Sequence, residues 1–196
     1  MSDHFDRKDF LRKAGVATAG AAAVPGLLAS DALAADHHHG LQRVWTFVAV
    51  DQAPATHQIA QPRMFMEGCG NFDPQAKTVS GGGRFFLFDN NPAIAAPKPL
   101  IAFGSWRATT FVNYDTKGLP TYAVTQPAIL ELLADVQGIG SGLTLEVICN
   151  VGAAGAAGLT GEEEGWTLMG TPYGDFTQQS PPMGLSYLSI PGFSVD

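Results

Sequence analysis

The chain has 196 residues, 45% hydrophobic and only 15% charged, with 23 glycines and 13 prolines. Residues 1–35 balance four basic against four acidic side chains, so the whole formal charge of −7 falls on residues 36–196. One domain with a sizeable core is expected; a basic stripe for nucleic acid and a polybasic membrane anchor are both missing, so neither partner is expected.

Residues 1–35 read as an export leader. Ala14–Leu28 is Ala/Gly-rich, too short and too weakly apolar for a membrane span, and Ala32-Leu33-Ala34 forms a small-x-small cleavage site with a mature start near Ala35. Arg7-Lys8-Asp9-Phe10-Leu11-Arg12-Lys13 resembles the twin-arginine export motif of bacteria and archaea, Ser/Thr-Arg-Arg-x-Phe-Leu-Lys. Phe10 and Leu11 match, while Lys8 replaces the second arginine and keeps its charge without the planar fork. The resemblance implies the twin-arginine (Tat) or Sec machinery as partner, a periplasmic or secreted protein, and a passenger able to fold before crossing. Residues 36–196 are then a single β domain with an extended C-terminal tail.

Asp36-His37-His38-His39 opens that domain. His37, His38 and His39 are metal-ligand types, but neighbours on an extended chain point opposite ways, and no metal or other cofactor is expected. Leu41–Val50 alternates as a strand covered on both faces, and Asp51–Pro62 reads as a polar loop carrying His57. Next comes a hairpin of two apolar runs, Met64–Phe72 and Ser80–Phe88, around a turn opened by Asp73-Pro74. Its strands are dotted with glycine, so their backbones approach something closely, either another strand or a ligand. Met64, Met66, Gly68 and Gly70 share one face; Phe65, Glu67, Cys69 and Asn71 share the other. Glu67, an acid in an apolar strand, is expected to be desolvated or paired with Arg84 or Arg107. The Gly81–Gly83 run precedes a strand rather than a helix, which argues against a phosphate site.

Asp89–Leu100 is a Pro/Asn-rich crossing loop, and Ile101–Tyr114 is a strand region in which Gly104 marks a possible bulge. Tyr122–Gln137 fits helical spacing through Ile129, Leu132, Leu133 and Val136, and strand alternation through Leu130, Leu132, Ala134 and Val136. Its β surroundings favour strand. Leu143–Val151 is the clearest strand. Gly152–Gly165 lacks the spacing and following helix of a dinucleotide loop, and Glu162-Glu163-Glu164 reads as a solvated acidic turn or a weak cation site. Trp166–Met169 is a short strand, and Gly170–Asp196 a tail that wraps the body with aromatic anchors.

The fold class is therefore mainly β: an antiparallel β-barrel or β-sandwich with long Gly/Pro-rich loops and at most one short helix. Cys69 and Cys149 are a candidate disulfide, which in an exported chain would close a loop of about 80 residues and contribute about 4 kcal/mol. No G-x-S-x-G elbow is present, and Glu67, Asp73 and Asp89 are the acids left for carboxylate chemistry. Two functions follow. The first is a non-catalytic domain that binds a ligand or partner, or associates with itself. The second is a small β-barrel enzyme, cyclase- or isomerase-like, acting on an apolar metabolite: GCGNF and GGGRF resemble the glycine-phenylalanine strands of the allene oxide cyclase and dirigent barrels. That likeness implies an interior cavity with Glu67, Arg84 and Arg107 as ligand-binding or catalytic residues.

Overall fold

The computed structural model describes residues 42–56, 59–120, 125–150, 163–178 and 183–192. Its strands are β1 (Arg43–Gln52), β2 (Pro62–Asp73), β3 (Thr78–Asp89), β4 (Leu100–Thr116), β5 (Ala128–Val136), β6 (Gly140–Cys149), β7 (Gly165–Met169) and β8 (Gly184–Leu188). They form one antiparallel sheet in the order β7-β6-β5-β4-β3-β2-β1-β8. Seven strands meander in chain order and the eighth returns to the open side of the first. The sheet curls into a nearly closed eight-stranded barrel, and the described residues include no helix.

Alternation decides which side chains enter the barrel. In β5, Ala128, Leu130, Leu132, Ala134 and Val136 are all buried and the residues between them only partly so. Ladder partners on both edges, β4 and β6, hold this segment extended where its spacing alone allowed a helix. β4 pairs with β3 through its first half and with β5 through its second, bending at register breaks between Ala108 and Thr110 and between Phe111 and Asn113. Gly104 is not the bulge. It sits where a Cβ would lie 2.9 Å from Gln137 Oε1 and 3.2 Å from the Phe85 ring.

The glycines of the central hairpin make room for tryptophan. A Cβ on Gly68 would fall 2.3 Å from the Trp106 benzo ring, and one on Gly70 would fall 2.7 Å from the Trp45 ring. What the β2 backbone approaches closely is thus the chain's own core, together with β3. Trp45 and Trp106 stand with ring centroids 5.5 Å apart, and Phe47, Trp166 and Phe176 continue the aromatic column. Met64, Met66, Phe72, Phe85, Leu87 and Leu145 fill the space around it, each fully buried.

The seam is closed by two pieces of what reads as a wrapping tail. Phe176 exchanges both backbone hydrogen bonds with Leu168 of β7, and Thr177 exchanges both with Gln52 of β1. Further along, β8 lies on β1, while Ser189 bridges to Thr125 just before β5. The carboxylate of Glu164 accepts from Ser186 N (2.7 Å), Ser186 Oγ (2.8 Å) and Asn150 N (2.6 Å), tying β8 to the end of β6 where no ladder joins them. Glu164 is therefore a structural acceptor rather than part of a solvated turn.

Candidate functional site

The residues singled out from sequence do not meet inside the barrel. Glu67 and Arg84 are exposed on its outer face, directly opposite one another on β2 and β3. Arg107, also exposed, lies on β4 and donates to Asp135 of β5 at 3.0 Å. That guanidinium and the Gly142 N–H hold the Asp135 carboxyl below its usual range. Inside the barrel, the described residues place the aromatic column of Trp45, Phe47, Trp106, Trp166 and Phe176. Asp73 caps its turn, accepting from Gln75 N (2.8 Å) and Ala76 N (3.0 Å), and Asp89 caps the next loop through Gln61 N and Asn91 N.

The cysteines form no disulfide. Cys69 points outward from β2 and is exposed, whereas Cys149 is buried among the core residues and its thiol faces Ser186 O at 3.8 Å. They occupy opposite sides of the barrel wall, an arrangement that period-two alternation on unpaired strands cannot reveal. His37, His38, His39, His57 and the leader residues Arg7, Lys8, Phe10 and Leu11 lie outside the described residues. Among the described residues, no three His, Cys, Asp or Glu side chains are grouped to hold a metal.

Three features of this surface and its rim have chemical content. The first is an open depression of about 290 Å³ on the outer face, lined by Val44, Thr46, Cys69, Gly70, Asn71 and Tyr187. Tyr187, Thr46 and Cys69 occupy one cross-strand row there, and burial pushes the Tyr187 phenol up against the opposing effect of a hydrogen bond with Thr125. The second is a run of outward apolar side chains. Val50, Phe65, Phe86 and Phe103 are cross-strand neighbours on β1 to β4, and Phe103 is 69% exposed. Leu185 (59%), Ile101 (41%) and Val48 (38%) extend this patch.

The third is Asp51, which reads from the sequence as the start of a polar loop. It is the penultimate residue of β1, buried, with no hydrogen-bond partner for Oδ2 among the described residues. Burial pushes its carboxyl up to about 7, opposed by a hydrogen bond from the Trp166 backbone. The signal was present in the sequence: Phe47 and Ala49 point inward, and the next inward position is 51. At the opposite end, Arg43 Nη1 donates to the Tyr114 hydroxyl at 3.2 Å and to Ser189 O at 3.1 Å. Burial raises the Tyr114 phenol to about 12 despite that cation.

Compared with family models, curated proteins and solved structures, the chain matches none. Functional reading therefore rests on this geometry.

Proposed function

We propose that this chain is an exported, non-catalytic β-barrel domain that acts by binding through its outer face. The observation carrying the binding half is the filled interior: Trp45, Trp106, Trp166, Phe47 and Phe176 occupy the space where a small-barrel enzyme holds its substrate. Recognition is left to the wall, where apolar side chains gather beyond the scattered singles of an ordinary surface. Apolar side chains inside, with Glu67, Arg84 and Arg107 outside, reverse the polar lumen and apolar belt of membrane-spanning barrels.

The chain's three tryptophans report on this directly, because all are buried in the barrel. A brominated fatty acid quenches tryptophan only on close approach, so titrating it into the protein should leave the emission unchanged. Saturable quenching would place an apolar ligand inside the barrel and restore the cyclase-like reading.

Export rests on the leader resemblance. In a bacterial host, the full chain is expected in the periplasm or medium, and the Arg7→Gln/Lys8→Gln variant in the cytoplasm. Equal export of both would remove the twin-arginine route.

A further inference from the structure

The outer face of β1 to β4 is matched to itself. Val48, Glu67, Arg84 and Ser105 form one cross-strand row, and Val50, Phe65, Phe86 and Phe103 form the next outward row beside it. At the centre of the first, an exposed acid and an exposed base stand side by side, and among the described residues neither closes an ion pair within the chain. At the centre of the second, Phe65 and Phe86 lie with ring centroids 6.1 Å apart. The midline of both rows falls between β2 and β3.

We infer that a second copy of this chain docks on this face, about a two-fold axis running along the strands between β2 and β3. This rests on the proposal that the outer face is the binding surface. The rotation lays β2 of each copy over β3 of the other. It sets Glu67 against Arg84 of the partner subunit, and Arg84 against Glu67 of the partner subunit. In the neighbouring row it sets Phe65 against the partner's Phe86, and Val50 against the partner's Phe103. Each contact occurs twice, as an isologous interface requires. An unrelated partner would have to supply the same charges and rings in inverted order; a second copy supplies them by symmetry.

Charge reversal tests the symmetry. Glu67→Arg places two arginines opposite each other at both central contacts, and Arg84→Glu places two glutamates there. By sedimentation of the full chain, each variant alone should associate about a hundredfold or more weakly than the parent. Mixed together, they should form a one-to-one heterodimer, because both central contacts then pair opposite charges. Phe103→Lys, at the most exposed of the aromatics, should also weaken association, and it tests the face should either charge variant fold poorly. A monomeric parent chain overturns the proposal, as does a dimer indifferent to all three substitutions, or a mixture that stays monomeric. None of these outcomes touches the filled interior, which tryptophan quenching tests separately.

Discussion

Gly68→Ala should cost about 3 kcal/mol of stability, at the upper end of what overpacking a core does. The added methyl would sit 2.3 Å from the Trp106 ring and 3.1 Å from Gly82 O, and the ring has little freedom to withdraw. Its indole Nε1 donates to Glu67 O at 2.9 Å, and its faces meet Trp45 and Phe47 at 5.5 and 5.6 Å. A double-mutant cycle separates this clash from any general intolerance of the strand. Trp106→Phe removes the benzo ring that the methyl would strike, so in that background Gly68→Ala should cost less than about 1 kcal/mol. Denaturant unfolding of the four proteins gives the coupling. Additive costs would mean that glycine is needed at position 68 for its backbone and not for the tryptophan.

Asp51→Asn should stabilise the protein at pH 8 by about 2 kcal/mol and leave it nearly unchanged at pH 4. The acid titrates near its ordinary value of 3.8 in the unfolded chain and near 7 in the folded one. Between those values the native state keeps a proton that the unfolded state has released, so stability falls as pH rises through this window and levels off above it. Three pK units or so correspond to about 4 kcal/mol across the window. Asparagine matches the protonated acid in shape and does not titrate, but its amide inherits the lack of a partner at Oδ2, which reduces the gain. Unfolding midpoints at pH 4, 6 and 8 for both proteins test this; parallel profiles would show that Asp51 does not carry the slope.

The strands were legible where one face is buried and the other is not. Alternation grouped Met64 with Met66 on one face of β2 and Phe65 with Glu67 on the other without telling which is inside, and the β surroundings of Ala128–Val136, rather than its spacing, favoured the strand reading. Other features depend on which strands become neighbours. The Trp106 ring fits over Gly68 because β4 follows β3 around the barrel, a relation between residues 38 positions apart in the chain. Glu164 belongs to an acidic run with no local reason for ordering; Asn150 N reaches it across the β6–β7 hairpin, and its two Ser186 donors come near only when the seam closes. Residues 176–177 and 184–188 carry too few alternating positions to stand out from a proline-rich tail, yet they complete the wall. The Cys69–Cys149 pairing failed for the related reason that strand face cannot be assigned across elements before their order is known.

Strand order also has a consequence for how the molecule is made. Neighbours from β1 to β7 are neighbours in sequence, so each hairpin can zip as soon as its second strand exists, with little loop entropy to overcome. The pairing of Trp45 with Leu188 is different, because it joins the first strand synthesised to the last. Until Gly184–Leu188 has left the ribosome, the outer edge of β1 offers its amides and carbonyls to any extended chain nearby. Completion is therefore late, and a chain cut short before Gly184 would hold its hairpins and the Thr177–Gln52 bridge and still present most of a sticky edge.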